Sequence, residues 1–205
     1  MDSAKLKRFI DEDWNWTRGL TYKFIDSIPP EKLSFSPSRE FGSTGKQLRH
    51  MGAVQECYLQ GMTAGKIDFS KRRRDEAIEK SAGLIVKYFQ KLDTDLKQLL
   101  ESIGDNDLEK EIEWIVWEDL PNPSLYQVLN YMNQHEIFHQ GILQLSASVA
   151  GFKTVRFFLL DYDHKIIIGF FGRVAELAYA EDLKSSERKL LWVQIPPRPF
   201  LYQKC

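Results

Sequence analysis

The stretch Gln134-His135-Glu136-Ile137-Phe138-His139-Gln140 decides the reading of this chain. Its two histidines are four residues apart, which on an α-helix puts them one turn apart on the same face. Around them Leu125, Val128, Met132, His135, His139, Ile142, Ser146 and Val149 alternate spacings of three and four, the seam of a helix packed on other helices. Asn122 as N-cap and Pro123 at the first helical position predict its start, and Gly151 its stop. A buried imidazole without a partner costs on the order of one to a few kcal/mol. Two readings are open at this point: hydrogen-bonded core histidines, or a shared divalent metal, which suits a pair at this spacing.

Three more helical patterns lie upstream. Leu6, Ile10, Asp13, Thr17, Leu20 and Phe24 trace a first seam, widened by Phe9 and Trp14, and Pro29-Pro30 ends it. Residues 31–43, rich in Ser and Pro, read as a loop. Ser43 or Thr44 caps a second helix to about Gly61, whose stripe of Gln47, His50, Val54, Cys57 and Gly61 brings a third inward histidine. The basic run Lys71-Arg72-Arg73-Arg74 reads as a solvated connection. A third helix follows through Ile78, Ala82, Ile85, Phe89, Leu92, Leu96, Leu99 and Ile103, closed by Gly104. Ile112–Glu118 alternates in a way that fits a short strand or hairpin arm. The fold class expected is all-α: a four-helix bundle whose one long connection, between helices three and four, carries that strand.

Composition narrows the function classes. A chain of 205 residues with 43% hydrophobic content can build one domain with a real core. The net charge of −1 gives no bulk field for nucleic acid or anionic membrane, so neither is an expected partner. Two cysteines far apart, Cys57 and Cys205, and no signal peptide after Met1 fit a reduced, cytoplasmic setting. The longest apolar run, Phe157–Phe171, is broken by Asp161, Asp163, His164 and Lys165 and is no membrane span.

The character changes beyond about Ile168. Residues 172–199, GRVAELAYAEDLKSSERKLLWVQIPPRP, resemble a conceptual translation of a transfer RNA gene. Trp192–Pro197 can be written TGG GTT CAA ATC CCA CCC, which contains the T-arm consensus GGTTCAAATCC. Glu181–Ser186 can be written GAG GAC TTG AAA TCC TCC, an anticodon stem and loop. The layout expected is a bundle over 1–152, an extension or linker over 153–168, and a read-through tail over 169–205. The competing reading of the tail is an ordinary C-terminal helix, Val174–Leu191.

Over about residues 3–152 the sequence resembles the DinB-like superfamily, the DinB/YfiT bundle proteins. The likeness rests on Trp14-Asn15-Trp16, Ile28-Pro29-Pro30-Glu31, Ser43–Met51 (STGKQLRHM), the His135-x-x-x-His139 helix and Gly151. After the last histidine the family's usual basic residue and Gly-Gln-Leu are replaced by Gln140-Gly141-Ile142-Leu143. Its Pro and aromatic ending is replaced by Phe152-Lys153-Thr154-Val155-Arg156. The resemblance implies that His50, His135 and His139 bind a divalent metal, zinc or nickel. From their places beside these histidines in the sequence and on the helix stripes, Glu136, Cys57 and Gln47 are candidates to support them. It implies a thiol-dependent transferase using a low-molecular-weight thiol and a small-molecule substrate. The alternative is a non-catalytic, metal-braced bundle acting as a homodimer or through a partner.

His135-Glu136-x-x-His139 also spells the zinc peptidase pattern, with Glu136 as base. The third ligand this requires has no good downstream candidate: Ile142 and Leu145 occupy the metzincin places, and the later glutamates fall in the tail. Cys57, two turns from His50, reads chiefly as a small core residue. Neither a serine or cysteine nucleophile with a relay nor a glycine-rich phosphate loop is signalled.

Overall fold

Local capping chemistry sets most of the helix boundaries in the computed structural model, which describes residues 6, 9–38, 41–114 and 121–154. Helix α1 (Asn15–Ser27) follows a π-helical turn, Phe9–Trp14. That wider turn brings Phe9 and Trp14, five residues apart, onto the core side together, so they anchor the helix where the sequence suggested they only widened its seam. Thr17, Arg18, Thr21, Phe24 and Ile25 are buried behind them. Ile28 is extended, as a residue before proline prefers, and the helix ends where Pro29-Pro30 was expected to stop it.

Helix α2 (Thr44–Ala64) is N-capped by Ser43, whose hydroxyl accepts from the Lys46 amide at 3.1 Å. It runs a turn past Gly61 to a left-handed Gly65. Gly61 is a contact point, not a terminator: a Cβ there would lie 2.3 Å from Ile67 Cγ1. The expected third helix is two pieces. Asp75 caps the short α3 (Glu76–Glu79), and Ser81 caps α4 (Ala82–Ser102). Each cap accepts from an amide two or three residues on, so the chain restarts between Ile78 and Ala82. Ile85, Phe89, Leu92 and Leu96 are buried as their spacing predicts, and Leu100 joins them.

The long connection between α4 and α5 carries the short strand Glu113–Trp114 (β2). It is not a hairpin arm: it pairs in parallel with Lys66–Ile67 (β1), which follows α2, in the register Lys66↔Glu113 and Ile67↔Trp114. Residues 115–118 of the expected strand lie outside the described residues. Helix α5 (Leu125–Ala150) begins two residues later than Asn122-Pro123 indicated. Ser124 and Gln127 form the capping box, while Asn122 Oδ1 accepts from the Trp114 amide at 3.2 Å and so serves β2. Gly151, at φ 75°, closes the helix as expected.

Four long helices, α1, α2, α4 and α5, therefore make an all-α bundle around a shared core that includes Phe24, Leu48, Met51, Phe89, Leu92, Leu129, Met132 and Leu143. No described helix is long and apolar enough to cross a membrane. The expected linker from 155 onward and the tail over 169–205 lie outside the described residues.

Candidate metal centre

His50 comes from the N-terminal half of α2 and His135 and His139 from the middle of α5, two helices packed against each other. The ring centroids are 4.4 Å apart for His135 and His139, 4.8 Å for His50 and His139, and 5.3 Å for His50 and His135. One nitrogen from each ring lies within 4.8 Å of the others. Among the described residues this is the one group of His, Cys, Asp and Glu side chains able to hold an ion through three ligands.

His139 is buried, and His50 and His135 are half-buried. Burial holds the His135 imidazole down to about 3, with the charge of Arg72 adding to it. Burial also holds His50 well below its ordinary value, helped by His135, Arg72, Arg49 and Lys46. His139 is held down by burial first, then by the other two rings. All three rings are neutral at pH 7, which leaves a lone pair on each.

Gln47, one turn before His50, directs His139. Its Oε1 lies 3.0 Å from His139 Nδ1. A carboxamide oxygen only accepts, so Nδ1 carries the hydrogen and Nε2 keeps the lone pair. This is the support that metal-binding imidazoles ordinarily receive.

The donor set fits a borderline divalent cation. Imidazole nitrogens suit zinc and nickel. A tetrahedral ion with bonds of about 2.0–2.1 Å needs its nitrogens about 3.4 Å apart. The spread of 4.8 Å approaches that spacing with the two helices already in place.

Glu136 and Cys57 are placed elsewhere. Glu136 faces α1, where Thr21 Oγ1 donates to its Oε1 at 2.5 Å and Arg18 Nη1 stands 3.2 Å from the same oxygen. Its partners are thus a hydroxyl and a guanidinium, not an imidazole of the cluster. Burial pushes its carboxyl up and Arg18 draws it back. Cys57 is seven residues beyond His50, about 10 Å along the helix axis at 1.5 Å per residue. It is buried in the core, and burial raises its thiol to about 11. It is not one of the residues brought together.

The sequence did not reveal the hub around Glu136. Arg18 is only 3% exposed. Its guanidinium lies against the rings of Phe89 (4.3 Å) and Trp14 (4.8 Å). It pairs with Asp93 at 3.2 Å and donates to Gln55 Oε1. Gln140 Nε2 donates to the Thr17 carbonyl at 2.7 Å and to Thr21 Oγ1 at 3.0 Å. One cation thus ties α1, α2 and α4 to the helix carrying two of the three histidines. No signal in the sequence marked it, because Arg18 and Thr21 both fall beside the seam traced through Asp13, Thr17, Leu20 and Phe24.

The chain is similar in structure to a DinB-like protein from Bacillus cereus, with a TM-score of 0.59 and 18% identity, over 73% of this chain and 95% of that one. It is similar as well to a DinB-like protein from Bacillus subtilis, with a TM-score of 0.55 and 19% identity, over 75% and 96%. No curated protein matches it. The family profile described as DinB superfamily matches residues 13–143, a span that holds all three histidines and more than half of the chain. The protein belongs to the DinB superfamily.

Proposed function

We propose that His50, His135 and His139 hold one divalent cation, zinc or nickel, and that the protein is a metal-dependent transferase acting on a small thiol. The observation that carries this is the convergence of three neutral imidazoles from two helices to within 4.8 Å. A cation held by three neutral nitrogens keeps its double charge and an open position, and supplies Lewis acidity that lowers the pKa of a thiol or water. The chain's own residues do the rest. Gln47 fixes the hydrogen of His139 on Nδ1 and aims the ring. Burial keeps all three rings unprotonated near neutral pH. The half-buried edge at His50 and His135 leaves an approach for a small molecule.

The peptidase reading has less support, because Glu136 is committed to Thr21 and Arg18. The bracing reading draws on a different fact: the cluster joins α2 to α5, so an ion there would also hold two helices together. The test is thiol consumption with a chromogenic electrophile, before and after chelation. Turnover lost with the metal and restored by zinc or nickel supports the transferase. A lower melting temperature on chelation, with no turnover under either condition, supports bracing alone.

A further inference from the structure

Each of the two histidines on α5 is followed at once by a buried polar residue: His135 by Glu136 and His139 by Gln140, both 2% exposed. A helix turns about 100° per residue, so these two residues form a second stripe, turned away from the imidazoles and bonded to α1. Both members of that stripe end on one hydroxyl. Thr21 Oγ1, on α1 and fully buried, donates to Glu136 Oε1 at 2.5 Å and accepts from Gln140 Nε2 at 3.0 Å. A carboxamide nitrogen only donates and a hydroxyl carries one hydrogen, so the direction of both bonds is settled. Gln140 Nε2 also donates to the Thr17 carbonyl at 2.7 Å, one turn earlier on α1, which fixes the way its carboxamide faces.

We propose that Thr21 is a positioning residue for the metal centre: its hydroxyl clasps the turn of α5 from Glu136 to Gln140 and sets the roll of that helix at which His135 and His139 meet His50. This rests on the metal reading above. Side-chain tips lie about 5–6 Å from a helix axis, so a roll of about 20° would move an imidazole nitrogen by about 2 Å. That is the length of a metal–nitrogen bond. Hydrogen bonds depend on direction as well as distance, which apolar contacts do not. The pair of bonds on Thr21 therefore fixes the roll, where the core around Met132 and Leu143 fixes only how deep α5 sits. Gln47 completes the arrangement from α2, aiming the His139 ring that α1 has brought into place. Without the hydroxyl, Glu136 keeps Arg18 and Gln140 keeps the Thr17 carbonyl, so the helices stay attached and the angle is what is freed.

The test uses the full chain, with zinc affinity read by competition against a chromophoric chelator and coordination geometry read from the visible bands of bound cobalt. Thr21→Val keeps the shape and removes the hydroxyl. It is expected to weaken zinc binding about tenfold and to shift the cobalt bands. Thr21→Ser, which keeps a hydroxyl, should hold both close to the parent. Leu100→Val, a core change on α4, which carries no histidine, should lower the melting temperature without moving either reading. Where Thr21→Val does not fold, Gln140→Met removes the other half of the clasp and should weaken zinc to the same degree. Parent-like affinity and cobalt bands in the folded variant overturn the assignment and leave the metal reading standing. An equal loss in Leu100→Val overturns it too, since the effect is then one of general stability, and so does a Thr21→Ser no better than Thr21→Val. A parent that binds neither metal overturns the metal reading, and this proposal with it.

Discussion

Replacing Arg18 by methionine tests whether Glu136 belongs to the scaffold or to the reacting centre. Arg18 and Glu136 have side chains 4% and 3% exposed, and Nη1 is 3.2 Å from Oε1. Two unit charges about 4 Å apart attract by about 4 kcal/mol at an effective dielectric of about 20. Desolvation of both groups offsets much of that in the intact pair. Removing one partner is different, because a buried carboxylate is left without its cation, at about 3–5 kcal/mol. Methionine keeps most of the volume between Trp14 and Phe89, so the loss is chiefly electrostatic. Against a total stability of about 5–15 kcal/mol the variant should fold but unfold far more easily. Adding Glu136→Gln should recover more than half of the loss, since the carboxamide is neutral and can still accept from Thr21. The assay is urea denaturation of the parent, both single variants and the double variant. A loss below about 1 kcal/mol for Arg18→Met, the size seen at exposed pairs, would mean that Glu136 does not depend on its buried cation. So would a double variant no more stable than the single.

Other consequences follow from the same geometry. The three histidines are depressed in the folded protein, so the unfolded chain binds more protons below about pH 6.5. Metal-free protein should therefore lose stability as pH falls through about 6.5, by up to about 1.4 kcal/mol per unit for each ring, with His135 contributing down to about 3. Glu136, held above its usual value, works the other way and softens the slope. Melting temperatures of metal-free protein at several pH values check this, and a flat profile between pH 7 and 5 contradicts it. Gln47→Leu removes the acceptor for His139 Nδ1 and should weaken metal binding about 10–100-fold with the fold intact, measured by competition with a chromophoric chelator. Cys57→Ala should leave metal content unchanged, because the thiol lies in the core and not at the cluster. A large metal loss in that variant would be the contrary result.

The parts of the fold legible in the sequence were those governed by nearby residues. Ser43, Pro29 and Gly151 act on their own helix ends, and the heptad stripes through His50 and His135–His139 needed only their own periodicity. Misreadings arose where a distant partner competed. Asn122 has the chemistry of an N-cap, but its carboxamide is taken by the Trp114 amide, so Ser124 caps α5 instead. The stripe from Ile78 to Ala82 kept helical spacing across a break because Asp75 and Ser81 each start a helix. Arg18 was invisible as a core residue, since its burial depends on Gln55, Asp93 and Glu136 from three other helices. Glu136 looked like a neighbour of the imidazoles because it is adjacent to one in sequence. A helix turns about 100° per residue, and that turn sends it to α1.

The most direct measurement is elemental analysis of the protein purified without a polyhistidine tag, beside His139→Ala prepared identically. Close to one zinc or nickel per chain is expected in the parent, and a large loss in the variant. Equal metal content in the two, or none in a folded parent supplied with both metals, would contradict coordination by the three histidines.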